Sequence, residues 1–390
     1  MIATGTALAP LADDPARLVA DLPAPCVQSH AANLARLPGG DLGCVWFGGT
    51  QEGVADISIW FSRLPRGAQR WSDPVRLSDD ATRSEQNPIL FVAPDGRLWL
   101  LHTAQKSGHQ DTAFVRCRVS DDGGRTWGPV RTLIGTPGTF VRQPPVVLAN
   151  GDWLLPIFRC RTVPGVKWSG DDDDSAVLLS HDAGETWSEP IAVPDSVGCV
   201  HMNVLPARDG TLVAFFRSRW ADHVYRCTGS ADGRTWSAPV PLALPNNNSS
   251  LQAIRLANGH FAMVFNDSSA ADATERRESL YDEIEDEGSA VTATAPARVP
   301  SRTAFWGAPR APLTLAVSDD DGRTWPRKRN LETGDGYCMT NNSADKRNRE
   351  YSYPSICAAA DGALEIAYTV FRQHIRHTRV AEAWVAGGAT

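Results

Sequence analysis

The feature that most constrains this chain is a short turn written four times. SDDGGRTW spans Ser120–Trp127, SHDAGETW spans Ser180–Trp187 and SDDDGRTW spans Ser318–Trp325. A shortened SADGRTW spans Ser230–Trp236, and SRLPRGAQRW, ending at Trp71, is a weaker relative. A second element alternates with these turns: an Asp-Gly or Asn-Gly pair, or a glycine equivalent, between two runs of alternating apolar residues. Its copies include VAPDGRLWLLH, LANGDWLLPIF, ARDGTLVAFF and AADGALEIAY. Such pairs between apolar runs are strong hairpin signals, because both central positions of the favoured turns need positive φ.

The hairpin glycines are Gly40, Gly96, Gly151, Gly210, Gly259 and Gly362, at spacings of 56, 55, 59, 49 and 103. Six hairpins, each but the last followed by an Asp-rich turn, describe six four-stranded units. A repeat of about 50 residues fits an all-β, six-bladed β-propeller occupying residues 1–390 as a single domain. The 103-residue gap holds one Asp-rich turn, so it reads as the fifth blade carrying one long insertion, about 268–309. The insertion's first half, ERRESLYDEIEDEG, is expected to form a short helix and its second half a loop. In the repeated turn the Ser and Asp side chains are expected to cap backbone amides, and the Trp to pack back on the blade. That is a structural role, on the outer side of each blade.

The bulk composition narrows the partners. A net charge of -7 argues against nucleic acid and anionic membranes. Eight scattered cysteines show neither a Cys-x-x-Cys pair nor zinc spacing, and read as reduced thiols. The opening MIATGTALAPLADDPARL lacks a charged n-region and a long apolar core, and no apolar run approaches membrane length. The expectation is a soluble cytoplasmic protein with no membrane partner, no metal and no cofactor. The sequence leaves the oligomeric state open. The DDDD run at Asp171–Asp174 reads as a solvated loop.

The repeated turns resemble the Asp-boxes of the sialidase superfamily of propellers, and the resemblance covers nearly the whole chain. HAANLARLPGGDL, WFGGTQEGVADISIW, RQPPVVLANGDWLLP and EYSYPSI resemble a sialidase-like branch of it. Fold alone does not give function, so the site must be read from its residues.

In a propeller the first residues of each innermost strand ring one end of the axis. Counting back nine from the hairpin glycines gives Asn87, Arg142, His201, Ser250 and Tyr353, with His30 at ten back in the first blade. The second strands return to the same face and add Arg217 and Arg372, with Asn248 beside the ring. Several arginines on one face suit an anionic small-molecule or glycan substrate, since guanidinium forks match carboxylates.

The resemblance implies further roles. Tyr353 stands where sialidases carry a Tyr nucleophile, which needs a base to take its proton. His201 replaces the family's Glu and can serve as that base near neutral pH, as can Glu350. Arg217 and Arg310 match two arginines of the family's carboxylate clamp. Asp56 matches the acid/base Asp, with Glu52 as its rival. The leading arginine is replaced by Ser29-His30-Ala31, and Arg142 is the candidate to compensate. The reading is an exo-acting glycoside hydrolase on a terminal acidic sugar. Two alternatives stand beside it: a lyase or isomerase using His30, His201 and Tyr353 as acid/base groups, and a carbohydrate-binding propeller without turnover.

Overall fold

A computed structural model describes residues 5–162, 166–284 and 302–387. Six antiparallel sheets succeed one another along the chain, and strands dominate: the only helical segments among the described residues are two 3-10 stretches. Blade one runs outward through Gln28–Arg36, Leu42–Gly49, Ser58–Leu64 and Val75–Arg76. Blade two follows as Ser84–Val92, Leu98–Lys106, His109–Ser120 and Arg131–Ile134. Blade four (inner strand Cys199–Pro206) and blade five (inner strand Gln252–Arg255) repeat the pattern. In blade three the inner strand is broken into Thr139–Phe140 and Val146–Val147. Pro144 and Pro145 lie in the break, where they can donate nothing to a ladder. Blade six takes its inner three strands from Tyr351–Ala358, Leu364–Val370 and His374–Val380, and its outer strand from Leu18–Asp21. The two ends of the described chain are thereby laced into one sheet.

Apolar packing lies between blades. Leu90, Leu98 and Leu100 of blade two meet Val45, Phe47 and Phe61 of blade one. Met202, Val204 and Phe216 of blade four meet Leu154, Val177 and Leu179 of blade three. The Asp-rich turns reinforce these seams. In the first, Ser120 Oγ accepts from Gly124 N at 2.7 Å, and Asp122 accepts from Thr126 N and Oγ1 at 2.8 and 2.6 Å. The second and third copies repeat this geometry at Ser180/Asp182 and Ser318/Asp320. Their tryptophans reach across the seam: Trp127 meets Phe61 edge-on at 6.0 Å, and Trp325 meets Phe215 at 5.6 Å. The turn is a staple between successive blades.

The inner strands share a second device. Their ladders slip at one place near the start: between His30 and Asn33, Gln86 and Ile89, Val200 and Asn203, and Ser352 and Ser355. Each slip holds a non-glycine residue in the left-handed region, at Ala31 (φ 60°), Asn87 (49°), His201 (55°) and Tyr353 (51°). A β-bulge of this kind re-aims side chains, and left-handed backbone costs about 1–3 kcal/mol per residue. Nine residues before the hairpin glycine is therefore a bulge, repeated in four blades.

The insertion departs from blade five between Phe261–Asn266 and Leu313–Ser318. A helix does not form over 275–284; one 3-10 turn occupies Ala270–Asp272, capped by Ser269. The rest of the expected helix lies outside the described residues. The chain over 275–284 is held by tertiary contacts instead, beginning with a bridge between Arg277 and Trp306.

Candidate active site

The bulges of blades one, four and six bring His30, His201 and Tyr353 together at the axis. The Tyr353 ring lies 4.4 Å from the His30 ring and 5.8 Å from that of His201. The guanidinium carbons of Arg142, Arg310 and Arg217 stand 5.4, 5.5 and 5.7 Å from the same ring. The phenol is thus enclosed by imidazoles and cations, all from residues buried in the fold.

Arg217 is the penultimate residue of the second strand of blade four, Leu212–Ser218, and is 1% exposed. Its Nη1 donates to the Tyr353 hydroxyl at 2.5 Å and lies 3.5 Å from His201 Nε2, and its Nε donates to Asn248 Oδ1 at 2.7 Å. These partners are neutral in their ordinary states. Burial pulls its pKa down to about 9, against the pull of Tyr353. A buried cation in such company is stabilised by an arriving anion.

A second group of charges adjoins it. Arg310 Nη1 donates to Glu350 Oε2 at 3.2 Å, and Arg372 Nε donates to Glu350 Oε1 at 2.7 Å. Arg372 Nη1 also donates to Glu52. Here two arginines match two carboxylates. For both arginines burial works against the charged form but the carboxylates outweigh it, so both pKa values are raised. His30 Nδ1 lies 3.9 Å from Glu350 Oε1. The carbonyl of Arg372 accepts from Ser29 N at 2.8 Å, which sets this arginine beside the strand that begins Ser29-His30-Ala31.

Burial drives both axial histidines well below their usual pKa. The surrounding arginines, Arg372 foremost at His30 and Arg217 at His201, push the same way. Both imidazoles are neutral at physiological pH.

Three sequence candidates stand differently from their expected places. Asp56 is exposed, and its carboxylate accepts from Thr50 N at 3.1 Å, tying its own loop together; Glu52 is the carboxylate of that loop that points inward. Arg142 spends its donors on the carbonyls of Ala32 (3.0 Å), Tyr353 (3.3 Å) and Pro354 (3.3 Å) and on Ser250 Oγ. Bulges leave carbonyls off the ladder, and Arg142 satisfies them from beneath the tyrosine. Asn87 is buried at the equivalent bulge of blade two. Among the described residues no group of three His, Cys, Asp or Glu is placed to hold a metal ion.

The DDDD run is not a solvated loop. Asp173 is fully buried, accepting from Arg219 Nη2 at 2.6 Å and from Trp168 Nε1 at 2.9 Å. Asp174 pairs with Arg159 and Arg161, and Asp171 accepts from Ala304 N at 2.6 Å. Of these only Asp171 touches the insertion, whose residues 304–306 lie beside the axial groups. The Trp306 ring lies tilted against Trp168 at 6.0 Å, and Asn248 Nδ2 donates to Phe305 O at 2.8 Å. Tyr281 is buried among Trp168, Phe158 and Trp306, and its hydroxyl accepts from Gln105 Nε2 at 3.1 Å and Gln110 Nε2 at 3.0 Å. These cross-blade contacts carry no local sequence signal. A hollow of about 1050 Å³ lies elsewhere, between blades two and three around Arg159, Glu185 and Trp187. It holds none of the axial groups.

No curated protein matches the chain by sequence. Among solved structures, a Hadza microbial sialidase aligns with a TM-score of 0.64 at 16% identity, over 92% of this chain and 66% of that one. A protein of unknown function from Dyadobacter fermentans aligns with a TM-score of 0.67 at 15% identity, over 93% of this chain and 97% of that one. The intramolecular trans-sialidase of Ruminococcus gnavus aligns with a TM-score of 0.64 at 11% identity, over 92% and 95%. At such identities the likeness carries the fold. Residues 40–366 match the BNR repeat-like domain, and the chain belongs to that family.

Proposed function

We propose that the protein is an exo-acting glycoside hydrolase for a terminal sugar bearing a carboxylate. The observation that carries this reading is Arg217, a buried guanidinium held on the Tyr353 hydroxyl and on neutral groups. An anionic sugar supplies the missing charge and sets its anomeric carbon beside the phenol. Arg310 and Arg372 extend the cationic surface. The sialidases among its structural neighbours support the sugar class.

In this reading Tyr353 Oη attacks the anomeric carbon as the bond to the aglycone oxygen breaks. His201 takes the phenol proton, and Arg217 stabilises the phenolate as charge develops. The sugar carboxylate displaces Glu52 from Arg372, and Glu52, protonated on that release, protonates the leaving oxygen. As a carboxylate it then takes a proton from the water that cleaves the tyrosyl–sugar bond, and His201 returns the proton to Tyr353. This reading gives the acid/base role to Glu52 rather than Asp56, because Glu52 is buried against Arg372 whereas Asp56 is exposed on its loop. A second reading, proton abstraction by a lyase or isomerase, is favoured by the two neutral imidazoles flanking the phenol.

The test is release of aryl alcohol from aryl glycosides of sialic acid, its deaminated analogue and uronic acids. Release that Tyr353→Phe abolishes supports the hydrolase. If none is cleaved, the hydrolase reading falls and proton exchange at the sugar's acidic carbon becomes the measurement.

A further inference from the structure

The buried arginines near Tyr353 differ in what answers their charge. Arg310 and Arg372 are met by Glu350 and Glu52, and Arg219 is met by Asp173. An anion arriving at those residues replaces a carboxylate already present. Among the described residues Arg217 has no carboxylate partner. Its Nε donates to Asn248 Oδ1 at 2.7 Å and its Nη1 to the Tyr353 hydroxyl, and its Nη2 donates to no described residue. The guanidinium carbon stands 5.7 Å from the Tyr353 ring and 5.8 Å from the Trp306 ring, which are also neutral. The charges of nearby Arg219 and Arg310 oppose its own. A buried cation is ordinarily paired with an anion, and here an amide holds that place.

The amide is fixed in place. Asn248 is 1% exposed, and its backbone sits in the left-handed region at φ 57°. Its Nδ2 donates to Phe305 O at 2.8 Å, and its backbone N donates to Asn246 Oδ1 at 3.1 Å. Flipping the amide would set Nδ2 against Arg217 Nε, donor against donor, so the acceptor end stays on the guanidinium. With both ends engaged by the protein, Asn248 acts through Arg217 and is a positioning residue. We propose that Asn248 sets the charge specificity of the axial site: it orients Arg217 with a neutral acceptor, and so leaves that guanidinium's charge to be met by the carboxylate of a ligand. The inference rests on the acidic-sugar reading for the ligand's sugar, but not for its charge.

Two probes separate the charge from the sugar. Sodium acetate offers a bare carboxylate, read as a rise in melting temperature over sodium chloride at equal ionic strength. The 2,3-unsaturated glycal of sialic acid, which is not hydrolysed, offers the sugar and is read by calorimetry. Asn248→Ala removes the acceptor without adding charge, and is expected to weaken glycal binding about tenfold. Asn248→Asp keeps the acceptor and supplies the anion from within. It is expected to weaken glycal binding about a hundredfold or more, and to abolish the acetate effect. A residue that only positions gives the opposite order, with Asn248→Asp the milder change. That order overturns the proposal and leaves the acidic-sugar reading standing. Asn248→Asp also turns an oxygen toward Phe305 O, so Arg217→Gln provides an arm that does not depend on its folding. An acetate effect retained in Arg217→Gln overturns the proposal. An acetate effect lost in both Arg217→Gln and Asn248→Asp, with no glycal binding by the wild type, upholds the proposal and removes sialic acid as the sugar. A wild type that responds to neither probe overturns the proposal.

Discussion

Arg217 Nη1 donates to the Tyr353 hydroxyl at 2.5 Å, so the guanidinium that attracts an anion also holds the phenol oxygen. In the proposed hydrolase one residue thereby serves both binding and nucleophile activation. Arg217→Lys keeps a charge but loses the fork that spans Tyr353 and Asn248. The expected loss in kcat/KM is about 10²–10³-fold, the scale of removing one positioned donor from a developing oxyanion. Steady-state kinetics on the cleaved aryl glycoside, with circular dichroism to confirm folding, checks it. A variant within threefold of wild type would falsify the shared role.

Much of this site is legible in the sequence, and the reason is geometric. The count of nine back from each hairpin glycine lands on a bulge in four blades, because hairpin and bulge are fixed in register on one strand. That is how Asn87, His201 and Tyr353 are found with no structure in hand. Arg372 is found by the phase of the second strand and Glu52 through the family resemblance, but not their link, since their ion pair joins positions 320 residues apart. Asp56 and Glu52 illustrate the limit. Both sit in one loop, and only the loop's path decides which carboxylate faces inward. Tyr281 and Asp173 are invisible for a related reason: each is explained by a partner on another blade. The blade-five segment reads as helical by composition, but tertiary contacts hold it irregular.

Glu52 and Asp56 can be separated directly. Glu52→Gln is expected to lower kcat by about 10²-fold or more, in line with the loss of an acid/base group. Asp56→Asn leaves a hydrogen-bonding side chain on Thr50 N and is expected to stay within a few fold of wild type. Activated aryl leaving groups sharpen the comparison, because they need less protonation. If Glu52→Gln is not partly rescued by such a leaving group, Glu52 is not the acid.

The pH profile follows from the histidines. His201 is held neutral by burial and by the neighbouring arginines, so its proton-free form persists well below pH 6.5. The acidic limb of kcat/KM is therefore expected below pH 6.5, not at it. An acidic limb centred at pH 6.5 or above, with His201→Gln leaving its position unchanged, removes His201 as the base.

The inter-blade staples predict a separation of stability from activity. Trp325 is buried against Phe215 of the preceding blade, and its Nε1 donates to Gly322 O at 3.3 Å. Trp325→Ala is expected to cost about 3–5 kcal/mol through the cavity it leaves. Activity per folded molecule is expected to be unchanged, since the turn lies at the outer side of the blade. Urea titration and active-site-normalised kinetics measure the two quantities. A loss of kcat matching the loss of stability contradicts the assignment of these turns to structure alone.

Acid sensitivity of the fold rests on the same buried imidazoles. His30 and His201 are shifted well down, and His102 is shifted down to about 3 by burial and by Arg116. The unfolded chain protonates each near pH 6.5, while the folded protein does not until much lower pH. Stability is therefore full above pH 6.5 and falls as the pH drops below it, because the unfolded state binds more protons. Each histidine contributes a loss of about 1 kcal/mol between pH 6.5 and 5.5, and the three together about 3 kcal/mol. Glu85 and Asp173, whose pKa values are raised chiefly by burial, act in the opposite sense. A difference between variants isolates the histidine share. His102→Gln removes one imidazole from blade two, remote in sequence from the proposed chemistry. Urea midpoints for wild type and His102→Gln, measured from pH 7.5 to 5.5, should converge by about 1 kcal/mol toward the acid end. Parallel curves instead place the protonation of His102 outside this window and remove it from the acid response.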